Sequence, residues 1–557
     1  MNIFPYFAPQ INLMLHWENI VRGALGMFFL IMVCYLLSNN RRAISWKLVL
    51  IGVCAQVMFA LGVLNTQVGG QPAFWLMFGV VIVVFIVNRV RRKTVEGFQL
   101  PTDVLSWALA IAGLAGFFFG IIRMKTFPFP AVAFAAGLIP IVAMIKILQK
   151  RNLELLKWTI LAACILLTLS VYMQWCSPSV FRDTLSAVSG SFVELINISH
   201  KGTEFMFGSL ADGSLSWGYI FAVQVLPNII FFAALSSILY YLGILQKIVY
   251  VFAYLLNKLK ISGAESVSTA ANIFLGQTEA PLMIRPYLEK MTRSEILCIM
   301  VGGFANTAGS VLAAYVGMLG GSDPTQKEYF ALHMLSQSIM SAPAAIVCSK
   351  ILFPETQDHL ISKDLYVPRE KLGDNFLDAL SLGTTDGLKL AVNVGAMLIV
   401  FTALMYVANA MLGWAGNQTN LNPQIAAMSG GVYKELSLEM ILGYIFSPVA
   451  WLIGVSKQDM LAVGQLLGEK TVLNEFIAYQ SLGKMKHNNV IQDPKSLLIA
   501  TYALCGFANF ASIGIQIGGI SQLAPNQRRN LTELGVKALI GGTIACLMCG
   551  CIAGALS

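Results

Sequence analysis

Runs of roughly twenty apolar residues recur along the chain, each long enough to cross a hydrocarbon core of about 30 Å as a helix. They fall at 20–37, 46–63, 74–91, 104–122, 129–147 and 157–174, then at 216–242, 296–320, 330–353, 387–411, 497–519 and 535–555. Backbone in lipid must satisfy every N–H and C=O internally, so such segments can build only helices or a closed barrel. The period here is helical, and no run alternates apolar and polar residues as a barrel strand does. The chain is therefore expected to be an all-α integral membrane protein. Composition agrees, with 57% hydrophobic and 12% charged residues, where soluble domains carry about 25% charged.

The formal charge of +9 does not point to nucleic acid. The basic residues lie in short loops between apolar runs, not on one soluble face. Arg41, Arg42 and Lys47 follow the first run, Arg89, Arg91, Arg92 and Lys93 the third, and Lys146, Lys150 and Arg151 the fifth. Loops carrying excess Lys and Arg face the cytoplasm, which puts the N-terminus outside. The loop with Lys484, Lys486 and Lys495 goes against that rule. The ten cysteines sit mostly inside apolar runs and read as small buried hydrophobes. Residues 1–19 contain Pro5, His16 and Glu18 and lack the basic start of a cleavable signal. Residues 243–260 mix apolar and basic residues and read as an amphipathic helix on the inner membrane surface.

Two stretches do not read as simple spans. Residues 262–290 are apolar but carry Glu265, Asn272, Gln277, Glu279 and Pro281; residues 436–480 carry Pro448, a Gly-rich middle, Glu469, Lys470 and Glu475. Each is long enough for two half-helices joined at a tip, entering and leaving on one side. Irregular backbone at membrane depth is tolerated where protein or a watered cavity covers it. Each stretch is followed by nearly the same motif, Gly303-Phe-Ala-Asn306-Thr-Ala308 and Gly506-Phe-Ala-Asn509-Phe-Ala511. With both hairpins not crossing, the runs that hold these motifs point in opposite directions. This predicts an inverted repeat, with discontinuous helices meeting at a midplane site.

The polar residues of these segments form a set with definite chemistry. Gly276 lets the backbone leave helical geometry, and Pro281 suits the first turn of a new helix. Gln277, Thr278 and Glu279 are then at a tip. A carboxylate there costs about 2.5–3.5 kcal/mol to insert and is functional by default; the bland alternative is an ion pair with Arg285 or Lys290. Gly302, Gly303 and Gly309 weaken their helix by about 1 kcal/mol each relative to Ala. Local unwinding would free carbonyls beside Asn306, Thr307 and Ser310, neutral oxygens that suit a hard monovalent cation. Small-residue helix packing is the competing reading. In the second half, Asn509, Ser512 and Gln516 share a helical face, with Phe507 near and Glu475 on the companion hairpin. Ionised carboxylates only accept hydrogen bonds, so the ligand must donate. A neutral solute with sugar hydroxyls and a planar base fits this set; a simple anion does not. No HExxH, no G-x-S-x-G and no histidine cluster is present, so an enzyme is not expected. A cation channel would need a pore lined around an axis; a receptor that senses such a solute on a transporter scaffold stays open as an alternative, although no signalling domain is seen.

The segments GQTEAPLMIRPYL (276–288), GGFANTAGSVLAAYVG (302–317), TDGLKLAVNVGAML (385–398), GYIFSPVAWLIGV (443–455), KTVLNEFIAY (470–479) and YALCGFANFASIGIQIGG (502–519) give the chain its likeness. It resembles the concentrative nucleoside transporters over about 129–557. The resemblance implies import of nucleosides across the inner (plasma) membrane, and a homotrimer whose protomers each hold a scaffold and a mobile, elevator-type transport domain. It implies that Gln277, Thr278 and Glu279 face the nucleobase, that Glu475, Asn509 and Ser512 hold the ribose, and that Phe507 and Val311 line the pocket. It implies a sodium site built from Asn272, Leu275, Asn306 and Thr307. Position 306 is commonly a hydroxyl residue in such relatives and is Asn here, so proton coupling through Glu279 or Glu475 stands beside sodium. The expected organisation is 1–128 as additional N-terminal helices, 129–260 as scaffold and interfacial helix, and 261–353 as the first repeat. A connection and long helix at 354–411 and the second repeat at 412–557 complete it.

Overall fold

The computed structural model describes residues 17–64, 180–211, 220–321, 323–357, 373–429 and 433–557. The expected spans at 74–91, 104–122, 129–147 and 157–174 lie outside the described residues, as does most of the 354–372 connection. The described residues belong almost entirely to one compact unit, Leu13–Ala60 with Leu185–Ser557. Among the described residues six helical stretches, one of them the interrupted Arg293–Gly320, are long and apolar enough to cross a membrane.

Helices α1 (Trp17–Leu36), α2 (Trp46–Leu64) and α3 (Val180–Phe207) precede two runs of elements in the same order. The first run is α4 (Leu226–Tyr241), α5 (Ile244–Leu256), a hairpin, α7 (Arg293–Ala305), α8 (Gly309–Gly320) and α9 (Pro324–Leu352). Its hairpin is α6 (Gly263–Ala271) followed by a 3-10 stretch Ala280–Ile284 that runs into the single turn Arg285–Leu288. The second run is α10 (Phe376–Gln418), α11 (Asn422–Met428), α12 (Leu438–Leu452), α13 (Met460–Val472), α14 (Glu475–His487), α15 (Pro494–Leu504), α16 (Phe510–Leu523) and α17 (Arg528–Leu556). The apolar runs at 296–320 and 497–519 are thus broken helices, interrupted within the two GFAN motifs.

Helix starts follow local chemistry. Ser262 with Glu265, and Thr292 with Glu295, form capping boxes at the starts of α6 and α7. Asp323, Asn375, Asn474, Asp493 and Asn509 cap α9, α10, α14, α15 and α16 through their side chains. Caps Asp323 and Asn375 start α9 and α10 ahead of the apolar runs, which is why both helices exceed the predicted spans. The second hairpin region differs more. Between 436 and 480 there are three helices instead of two half-helices. Gly454, at φ 111°, ends α12 in a conformation that side chains rarely adopt, and the tip is the short Leu473–Asn474 link. Pro448 lies inside α12 without ending it. The functional hairpin is therefore α13–α14, with α12 packed along α13.

Packing divides the elements. Helices α7, α8, α9, α15 and α17 form the buried centre, whereas α10 packs along α4 on one face and leaves Val392, Ile399, Leu404, Tyr406, Val407, Met411 and Trp414 exposed. Helix α1 lies against α17, with Gly23 over Ala555 and Gly26 over Cys551, while Leu25, Phe28 and Phe29 face outward. At the foot of the first hairpin, buried Lys350 of α9 meets Glu265 at 2.5 Å and donates to Ser294 Oγ at 3.0 Å. Thr292 Oγ1 donates to Glu355 at 2.6 Å. One cation thereby ties the starts of α6 and α7 to the end of α9.

Candidate functional site

The first hairpin turns over at 272–279, where the bonding is local. Leu275 N donates to Ala271 O at 2.8 Å, and Glu279 N to Gly276 O at 3.1 Å. The Glu279 carboxylate accepts from Gly276 N at 3.2 Å and makes no ion pair with Arg285 or Lys290. Glu279 is exposed and Thr278 half-buried over Gly519 of α16, while Gln277 is buried. The tip is pinned to the first break by Gly309 N donating to Phe274 O at 3.1 Å.

The second tip brings Glu475 to the same place. Glu475 is the first residue of α14 and is 4% exposed. Its carboxylate accepts from Asn509 Nδ2 at 2.7 Å and from Tyr315 OH at 3.2 Å. Asn509 Oδ1 accepts from Ser512 N at 2.8 Å, so one amide both caps α16 and holds the acid. Ser512 Oγ in turn accepts from Gln277 Nε2 at 3.3 Å. A continuous polar path therefore runs Glu475–Asn509–Ser512–Gln277 from one hairpin to the other. Phe507 is half-buried in the second break and Val311 is buried in the first turn of α8. Glu279 stands outside this bonded path.

Of the residues expected around a cation, Asn272 is fully buried and neither end of its amide has a partner. Such a group costs about 1–3 kcal/mol per unpaired atom unless a ligand or water meets it. Ser268, Thr269 and Ser338 hold further unpaired buried hydroxyls. Asn272 lies against Gly302 of α7, and Thr307 and Leu275 are in the non-helical break and tip. Asn306 is more engaged: its Oδ1 accepts from Ser341 Oγ at 2.5 Å and its Nδ2 donates to Gly302 O at 3.4 Å. The donor set is neutral oxygen throughout, which suits a hard monovalent cation. Ser341 takes one lone pair of the Asn306 oxygen and leaves the other for a ligand.

Several contributors were not singled out by sequence pattern. Gln337 of α9 donates through Nε2 to Ala305 O at 3.2 Å and to Cys505 O at 2.7 Å, the carbonyls just ahead of the two breaks. Cys546 of α17 directs its thiol at the same two carbonyls, at 3.5 and 3.3 Å. Phe507 N donates to Asn306 O at 3.3 Å across the breaks. Gly506 is required here, since a Cβ would stand 2.6 Å from Cys546 Sγ and 2.9 Å from both Phe304 O and Ala305 O. Tyr315 stacks on Tyr479 with ring centroids 4.3 Å apart. Its place in the AAYVG stretch was visible, but its aim at Glu475 depends on how α8 and α14 pack.

The arrangement can accept hydrogen bonds at Glu475 and both donate and accept at the amides and hydroxyls, deep in an apolar surround. Comparison with known proteins agrees with that chemistry. The model described as "Na+ dependent nucleoside transporter C-terminus" matches residues 333–554, "Nucleoside recognition" matches 222–322, and "Na+ dependent nucleoside transporter N-terminus" matches 25–87. The last of these extends the likeness ahead of residue 129. An uncharacterized transporter of Haemophilus influenzae is 42% identical over 381 residues, covering 67% of this chain and 85% of its own. Solute carrier family 28 member 3 of Mus musculus is 42% identical over 377 residues, 65% of this chain and 50% of that protein. The chain thus matches about half the length of its mammalian relatives. A solved structure of CNTnw, inward-facing and substrate-bound, superposes with TM-score 0.68 at 29% identity, covering 97% of this chain and 98% of that one. An outward-facing variant of the same protein gives 0.69, also at 29% identity, covering 97% and 98%. This chain belongs to the concentrative nucleoside transporter family.

Proposed function

We propose that the chain is a sodium-coupled symporter that imports nucleosides by an elevator motion of the two hairpins and their broken helices. The observation that carries this reading is the bonded path from Glu475 to Gln277, which joins the two hairpin tips through Asn509 and Ser512. Ribose hydroxyls would donate to Glu475 and exchange bonds with Asn509 and Ser512. The base would meet Gln277, Thr278 and Glu279 beside Phe507 and Val311. Sodium would be held by Asn272, Leu275, Asn306 and Thr307, and its entry down about 100 mV supplies about 2.3 kcal/mol per charge. That supports roughly fifty-fold accumulation. Gln337 and Cys546, by holding both breaks at once, would let hairpins and broken helices move as one body. Its relative CNTnw has been captured in inward-facing, intermediate and outward-facing states, which is the sequence such a motion needs.

The test is uptake of labelled uridine into proteoliposomes. Accumulation in sodium but not in choline is expected; absence of uptake for every nucleoside would remove the reading. Proton coupling is the second reading, and one observation favours it: position 306 is Asn, and one lone pair of its oxygen is already taken by Ser341. Sodium-independent uptake abolished by a protonophore would select it. Assembly into a homotrimer is part of the proposal, and the exposed apolar flank of α10 supports it. Mass measurement in detergent checks it, a monomeric mass counting against it.

A further inference from the structure

Gln516 of α16 is fully buried and makes no bond to Glu475, Asn509 or Ser512. Its Nε2 donates to Met300 O at 3.1 Å and to Gln277 Oε1 at 3.1 Å, and its Oε1 has no partner. Met300 O is a backbone carbonyl and can only accept, so the Gln516 amide cannot turn over without placing oxygen against oxygen. Both of its hydrogens are then committed. The Gln277 oxygen is held facing Gln516 as its acceptor, and the Gln277 nitrogen is directed the other way, where it donates to Ser512 Oγ at 3.3 Å. One hydrogen on that nitrogen remains. Gly303 makes the pairing possible, because a Cβ there would stand 2.6 Å from Gln516 Nε2 and 3.0 Å from Gln277 Cβ.

We infer that Gln516 is a positioning residue that fixes the polarity of the Gln277 amide, so that the pocket presents an N–H donor to the base and selects bases with an acceptor at that edge. The inference rests on the nucleoside reading above. Carbonyl oxygens and unprotonated ring nitrogens satisfy it; an amino group or C–H at the same place leaves a buried donor unpaired. A site built to hydrogen-bond a ligand group rejects the analogue lacking it more strongly than an apolar pocket can.

The test uses the full chain in proteoliposomes under a sodium gradient. Competition against uridine uptake is measured for uridine analogues lacking the C2 or the C4 oxygen, and for 3′-deoxyuridine. The wild type is expected to disfavour at least one base-deoxygenated analogue by about tenfold, the worth of a lost hydrogen bond near 1.4 kcal/mol. Gln516→Met keeps the length but donates nothing; it should bring that discrimination to within about twofold while the 3′-deoxyuridine penalty stays. Gln516→Leu, apolar and without donor or acceptor, should do the same. In a Gln277→Ala background, Gln516→Met should change the competition profile no further. Wild-type discrimination in both Gln516 variants, or losses that add in the double variant, would overturn the positioning role. A wild type that accumulates no labelled nucleoside, pyrimidine or purine, would instead overturn the nucleoside reading, and this inference with it.

Discussion

Asn306 and Asn509 occupy equivalent places in the two GFAN motifs yet do different work. Asn509 caps α16 and holds Glu475, whereas Asn306 reaches back to α7 and accepts from Ser341 of α9. The difference comes from the next residues: Thr307 and Ala308 stay outside the helix before α8 starts at Gly309, while α16 starts directly after Asn509. Sequence identity made the pair legible; which Asn becomes a cap was not, because that depends on where the second half-helix resumes. Glu475→Gln should reduce nucleoside uptake about a hundredfold in a protein that still elutes as a single species. Either its new amide faces the Asn509 amide donor to donor, or it flips and forces Tyr315 from donor to acceptor, and in both cases it accepts more weakly from ribose. Uptake at the wild-type rate would refute the ribose assignment. Gln277→Ala should alter the base competition profile more than the dependence on the ribose hydroxyls, and an unchanged profile would count against its role.

Helix breaks were readable as elements because glycine and asparagine interrupt apolar runs, and the first hairpin because Gly276 and Pro281 bracket a polar tip. What holds the breaks in register was not readable. Gln337 and Cys546 lie on different helices, each within an ordinary apolar or small-residue stretch, and converge on Ala305 O and Cys505 O only after folding. Gln337→Leu removes the stronger donor from both carbonyls and leaves the weak thiol, so about 2 kcal/mol of stability should be lost. The measurement is the temperature at which the detergent-solubilised protein loses monodispersity. A second test concerns the foot of the hairpin. Lys350→Met leaves Glu265 buried without its cation and should cost about 3–5 kcal/mol, while the double variant Glu265→Leu with Lys350→Met should be much milder. Equal losses in the two would show that the pair is not an interdependent unit. The extra helix α12 escaped the sequence reading for a related reason: Pro448 sits inside a helix without ending it, and Gly454 is what ends it.

At the scale of the molecule, the membrane class follows from hydrophobic runs alone, and the doubled order of elements follows from the repeated motif. Helix α10, with 43 residues, is the element whose dimensions go furthest beyond expectation. At about 1.5 Å per residue it measures about 64 Å, roughly twice the hydrocarbon thickness. Asp378, Asp386 and Lys389 occupy its first turns, so that end belongs in water or among headgroups, and the apolar remainder is still longer than an upright crossing needs. Such a rod must lean, or the bilayer around it must thicken. Lipid chain length then becomes a control on this protein: in short-chain vesicles the rod lies flatter, in long-chain vesicles it stands up, and the transport rate should pass through a maximum between them.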